Sequence, residues 1–286
     1  MLLVTGATGH LGSAVVSQLL KMTKASEISV LARNENKASE LKTKGIEVRI
    51  GSYDDTASLD KAMQGISKLL LISGNGPSRL QQHKNVVIAA KKAGIQHIVY
   101  TSISIKNMKT AAIRPIMESI SLTDDFIKES GLKYTLLRNS LYTGGTPLFG
   151  GDKVIKTGIY LPTGDGKVPF ALRREMGEAA ANVLLQKGHE NKTYDITGSE
   201  LYSYEDVARE LSSLSGQNVT YTDADPSTFA TKIKEFGLPE IVNQIVAGFS
   251  ADVKNHQFEK VTKDLENLLG RKPATLRASL KELYSL

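Results

Sequence analysis

The run Leu2-Leu3-Val4-Thr5-Gly6-Ala7-Thr8-Gly9-His10-Leu11-Gly12, met at the second residue, leaves this chain few folds to choose from. An apolar strand ends in a glycine turn that opens directly into a helix, whose apolar face Leu11, Val15, Leu19 and Met22 share. In that context the glycines have separate tasks. Gly6 permits the tight turn, Gly9 lets a pyrophosphate approach the backbone, and Gly12 lets the helix sit close on its sheet. The helix N-terminus then turns its free amides, at the positive end of the dipole, toward the phosphates.

The rest of the first half repeats the theme. Strand candidates Leu2–Thr5, Ile28–Ala32, 46–50, 68–73, 97–102 and 134–138 alternate with helical segments, such as the one carrying Val86, Val87, Ala90 and Ala93 before Gly94. This order requires a parallel sheet with crossover helices on both faces. The expected fold is therefore α/β, a doubly wound parallel sheet of Rossmann type with a smaller, mostly helical C-terminal domain. After Asn139 the texture becomes loop-rich, with Gly144-Gly145, Pro147 and Gly150-Gly151 read as a lid or interdomain segment. Helical periodicity returns at 176–186, a short strand follows at 193–196, and Ser203 to Asp206 read as a helix cap. The expected division is 1–147, completed by 172–198, for a cofactor domain, and 148–171 with 199–286 for the smaller substrate or lid domain.

The end of the second strand, about twenty residues beyond the glycine loop, is where an acidic side chain would hold the ribose hydroxyls of NAD. This chain has Ala32-Arg33-Asn34 there. A guanidinium cannot accept from a hydroxyl, but its fork suits a phosphate, so the residues favour the 2′-phosphate of NADPH. Glu35 turned inward could restore some NADH binding, which makes NADPH a preference rather than a rule. Other strand ends should complete the site: Ser73-Gly74-Asn75, Thr101-Ser102, and Asp54, which either touches the adenine or caps the next helix.

Much chemistry is excluded. With no cysteine there is no thiolate nucleophile, zinc-thiolate site or iron–sulfur cluster. None of the ten tyrosines has a lysine four residues later, so the tyrosine–lysine dyad that protonates simple ketones in single-domain reductases is missing. The five histidines form no metal or triad pattern; His97 reads as a core or sheet-edge residue and His83 stands alone. The net charge of +6 is dispersed, which points to no nucleic-acid partner, and no apolar run spans a bilayer. Because the strand starts at the N-terminus, no targeting peptide fits before it and a cytoplasmic location is expected.

The glycine run, Ala32-Arg33-Asn34, Lys68-Leu69-Leu70-Leu71-Ile72-Ser73-Gly74, Tyr134-Thr135-Leu136-Leu137-Arg138-Asn139 and Gly188-His189-Glu190-Asn191-Lys192-Thr193-Tyr194 together resemble the NmrA-like, atypical short-chain dehydrogenase family. Within it the chain is most similar to the quinone reductases and triphenylmethane reductases. The resemblance implies hydride transfer from NADPH, without flavin, to a small aromatic acceptor, a quinone or an extended dye. It also implies that Gly6, Ala7, Thr8, Gly9, His10 and Leu11 wrap the pyrophosphate and that Arg33 holds the 2′-phosphate. Ser73, Gly74 and Asn75 would meet the neighbouring cofactor face. Arg138, Asn139, Tyr142 and Thr143 would lie toward the nicotinamide and acceptor, with Tyr142 and Asn139 the catalytic candidates. The family also contains NADP(H)-binding redox sensors without turnover, which is the alternative reading; a homodimer is compatible with either. Two departures bear on the acceptor. Ile120 stands where relatives often carry a histidine, and Thr123-Asp124 replaces a Thr-Glu pair.

Overall fold

A computed structural model of the chain describes residues 1–74, 76–144, 153–235, 237 and 239–286. Asn75, the Gly145 to Pro147 part of the expected lid and the expected boundary at 147/148 lie outside the described residues. In chain order the first half runs β1 (Leu2–Thr5), α1 (His10–Met22), β2 (Ile28–Ala32), α2 (Ser39–Thr43), β3 (Glu47–Ile50) and α3 (Thr56–Ala62). It continues with β4 (Lys68–Leu71), α4 (Arg79–Lys92), β5 (His97–Ile103), α5 (Arg114–Glu129) and β6 (Lys133–Asn139). The second half contributes α6 (Val154–Thr157), β7 (Ile159–Leu161), β8 (Lys167–Val168), α7 (Arg173–Leu185), β9 (Lys192–Ile196) and β10 (Tyr202–Ser203). Last come α8 (Tyr204–Ser215), β11 (Tyr221–Asp223), α9 (Pro226–Glu235), α10 (Glu240–Lys254), α11 (Asp264–Leu269) and α12 (Leu276–Tyr284).

Seven strands form one sheet in the order β3-β2-β1-β4-β5-β6-β9, every pair parallel. Six of these were expected to form the sheet and a further short strand was expected at 193–196; that strand is β9, which joins the same sheet by docking on β6 with Leu137 opposite Tyr194. Its exposed, polar start gives little apolar signal, as expected of an edge strand. The fourth strand ends at Leu71 rather than Ser73, and the helix expected at 176–186 already begins at Arg173. Both shifts matter, because they place Ser73 in a loop and Arg173 at a helix start.

Alternation along the strands divides the core. In β1, Leu2 and Val4 face α1, α7 and α11, whereas Leu3 faces the layer of α3, α4 and α5. Strands buried on both faces read as continuous apolar runs, and each fully buried leucine or valine contributes about 1.5–3 kcal/mol. α7 lies so close on α1 that a Cβ at Gly177 would meet the Ala14 Cβ at 2.7 Å. Its other end is fixed by Lys68 of β4, whose Nζ donates to the carbonyls of Leu184 and Gln186, a cation at the negative end of the helix dipole.

A third core joins residues of α6, β7, β8 and α8 to α9, α10 and α12. This region is mainly helical, with two small ribbons, β10-β8 and β11-β7. The expected cap is present at α8, where Ser203 and Asp206 form a reciprocal capping box. α10 is fastened to the sheet layers by buried Asp252, whose carboxylate accepts from the amides of Ala112 and Ile113 at 2.6 and 2.9 Å, at the start of α5. Among the described residues no helix is long and apolar enough to cross a membrane.

Candidate active site

Strand order reverses between β1 and β4, so the loops leaving these two strands diverge and open a crevice at the carboxyl edge of the sheet. A cavity of about 740 Å³ occupies it, running from the ends of β2 and β3 to those of β5 and β6. Gly6 starts the floor with φ +61, and the Gly9 amide closes the turn on its carbonyl at 3.0 Å. A Cβ at Gly12 would lie 2.1 Å from the Gly6 oxygen, so that position admits only glycine; at Gly9 the same contact is 3.3 Å. No side chain caps α1 and its first turn holds no acid, so its positive end is presented to the cavity without a competing anion. Gly6, Thr8, Gly9, His10 and Leu11 line the cavity, while Ala7 is buried beneath it.

At the β2 end, exposed Arg33 lines the cavity. Glu35 is not part of the lining; its carboxylate pairs with Lys42 of α2 at 2.9 Å, in solvent. After β3, Tyr53 fills the space between β1 and β4. Its hydroxyl donates to Thr5 Oγ1 at 2.5 Å, and burial pushes its pKa up to about 12. Asp54 stays at the rim, accepting from Gln82 Nε2, and it is Asp55 that caps α3, through the amides of Ala57 and Ser58.

The far end has a different character. Ser73, Gly74, Thr101 and Ser102 form its base with Asn139, and Met117 and Ile120 of α5 and Phe249 of α10 supply an apolar wall. Ile103 and Phe249 belong to both neighbouring cores, so this wall is where the sheet layers and the helical region meet. Tyr142 is held beside Ala171 by a bridge, which puts Arg173 over its ring. Burial raises the Tyr142 pKa against a hydrogen bond from the Asn139 side chain, and burial lowers that of Arg173. The phenol is therefore neutral at ordinary pH.

Two expected site residues are turned elsewhere. Alternation along β6 sends Arg138 away from the cavity to Asp124 of α5, with Nε and Nη2 each 3.0 Å from the same carboxylate oxygen, whereas its neighbour Asn139 faces the cavity. Thr143 is drawn to the segment before α7 by its amide, bonded to Ala171 at 3.0 Å, and is not part of the lining. Thr123 and Asp124, one helical turn beyond Ile120, are buried and are not part of the lining. Sequence reasoning missed Met117, Phe249, Tyr53, Gln82 and Arg173. The helical spacing of Ile113, Met117, Ile120 and Ile127 was the one available signal.

The chain and its fold have counterparts among known proteins. The chain is 36% identical to Quinone oxidoreductase 2 of Escherichia coli strain K12, over 100% of its own length and 99% of the relative. The E. coli NADPH-dependent quinone oxidoreductase complexed with NADPH superposes with a TM-score of 0.92 at 35% identity, covering 99% of this chain and 100% of that one. The triphenylmethane reductase of Citrobacter sp. complexed with NADP(H) gives 0.92 at 36% identity, with the same coverage. The profile of the NmrA-like family matches residues 1–282, and the chain belongs to that family.

Proposed function

We propose that this protein is an NADPH-dependent reductase that passes hydride directly to quinones or related conjugated, electron-poor acceptors such as triarylmethane dyes. The observation that carries the reading is the continuity of one cavity. It joins a glycine-lined helix N-terminus and Arg33 to an apolar wall at Met117, Ile120 and Phe249. Its size is that of a small-molecule site. The division of labour along the chain follows: residues 1–147 with 172–198 hold the cofactor, and 148–171 with 199–286 complete the acceptor side.

The residues suit NADPH. Gly9 leaves room for a pyrophosphate against the amides of α1, and Arg33 offers its fork to the 2′-phosphate. Ser73 and Gly74 line the neighbouring face, and Asn139 and Tyr142 stand at the nicotinamide end. A dihydronicotinamide supplies the hydride when bound there. The protein contributes orientation: the Tyr142 ring and the apolar wall hold a flat acceptor. A quinone or dye spreads the incoming charge by conjugation, so no strong positioned acid is required, and neither the tyrosine–lysine dyad nor a flavin is needed.

Stopped-flow oxidation of 4-deuterated NADPH with a panel of quinones and dyes tests this. The expected result is turnover without added flavin and label in a carbon-accepting dye. Dependence on flavin, or label lost to water, would overturn direct transfer, and tight NADPH binding without turnover on any acceptor would favour the redox-sensor alternative.

A further inference from the structure

Two buried side chains of α4, Arg79 and His83, lie outside the cavity lining and have no part in the reading above. Arg79 is 3% exposed. Its Nε donates to the Gly74 carbonyl at 2.6 Å, and its Nη1 donates to the Ile116 carbonyl at 2.9 Å and to Ser119 Oγ at 3.0 Å, both on α5. Among the described residues no carboxylate forms an ion pair with it; besides these neutral oxygens its Nη1 meets only the Met117 thioether sulfur, at 3.7 Å. Burying a guanidinium without a counter-ion is costly, and the planar fork recovers that cost only where several acceptors are fixed for it.

His83 makes the parallel connection. The Gly74 amide donates to Nε2 at 3.2 Å, so Nε2 carries no proton and Nδ1 does. Nδ1 then donates to Thr123 Oγ1 at 3.0 Å, and that hydroxyl donates to the Ser119 carbonyl at 2.7 Å. Burial, with the Arg79 charge beside it, holds the imidazole pKa down to about 3, so this arrangement persists at neutral pH. The amide and the carbonyl of Gly74 are thus both taken by α4, and the other ends of the same side chains grip α5 at 116, 119 and 123. Met117 and Ile120, the acceptor wall, lie between those grips.

We propose that Arg79 and His83 are positioning residues that couple the Ser73-Gly74 loop to the acceptor wall on α5, so that filling the cofactor side orders the acceptor side. The inference rests on the proposed cofactor site, and adds a contiguous hydrogen-bonded route between its two halves.

Amide hydrogen exchange on the full chain, with and without NADP⁺, tests it apart from catalysis. In the wild type, NADP⁺ should slow exchange at 6–12 and 73–74 and also across 116–124. Arg79→Met should keep the protection at 6–12 while that at 116–124 falls by about tenfold, the effect of losing buried hydrogen bonds to a charged group. Arg79→Lys keeps the charge without the fork and should behave like Arg79→Met; full coupling in it would overturn the proposal. Should Arg79→Met fail to fold, Ser119→Ala removes one acceptor of the bridge without disturbing the charge and should lose part of the coupling. Undiminished coupling there would also overturn it. NADP⁺ that protects 6–12 in the wild type but leaves 116–124 unchanged refutes the inference alone. NADP⁺ that fails to protect 6–12 refutes the cofactor site and the inference with it.

Discussion

The guanidinium of Arg173 lies over the ring of Tyr142, 4.4 Å from its centroid. Tyr142 follows β6 and Arg173 opens α7, and the pairing of Tyr142 with Ala171 brings the two together at the acceptor end of the cavity. Such a cation–π contact is worth about 0.5–2 kcal/mol and fixes the ring plane. If the ring positions the acceptor, Tyr142→Phe should keep kcat/KM within about threefold and Tyr142→Ala should lose more than about tenfold. Steady-state kinetics with one quinone decides; a large loss in the phenylalanine variant would move the function to the hydroxyl.

Arg33 is the cation at the β2 end, and Glu35 is engaged with Lys42. Arg33→Ala should weaken NADPH binding by about 1.5–3 kcal/mol, the range for hydrogen bonds to charged groups, and leave NADH nearly unchanged. Fluorescence titration with both cofactors measures the difference. Equal losses would show that Arg33 does not set the preference.

Gly9 and Gly12 are expected to fail in different ways. A side chain at Gly9 meets the Gly6 oxygen only at 3.3 Å, so Gly9→Val should keep its circular dichroism spectrum and lose cofactor binding. At Gly12 the contact is 2.1 Å against backbone, so even Gly12→Ala should displace α1 and lower the melting temperature. Retained NADPH affinity in Gly9→Val would contradict the proposed phosphate loop.

Acid stability should follow two buried histidines. Burial lowers His83 to about 3, with help from Arg79, and His97 to about 4, with help from Lys68, against about 6.5 when unfolded. Below pH 6.5 the unfolded chain takes up protons that the folded chain does not, so stability falls as pH falls. Each histidine costs up to about 1.4 kcal/mol per pH unit until the folded form also protonates. His97 Nε2 donates to Thr135 Oγ1 at 2.8 Å, a bond that glutamine can replace. His97→Gln should flatten the decline of the urea midpoint between pH 6.5 and 4, and an unchanged slope would refute the assignment.

The site was only partly legible in advance. Arg33 could be placed because a strand end about twenty residues after a glycine loop has a fixed location in this kind of sheet. Arg138 and Asn139 are adjacent in sequence, yet alternation along β6 sends one to Asp124 and the other to the cavity. A motif quoted as a string does not carry that distinction.

What the sequence determined by itself was local: the strand, turn and helix of residues 2–22, the capping box at Ser203 and Asp206, and the repeated strand–helix order that makes the sheet parallel. Each of these is set by neighbours within a turn or two of backbone. The tertiary structure alone decided that β9 would become the seventh strand, that α10 would be pinned to α5 through Asp252, and that Phe249 would face Met117 and Ile120. It also decided that lone His83 would join Arg79 in holding Gly74. These contacts join residues far apart in the chain, and they depend on packing and register, which become defined only when the layers close on one another.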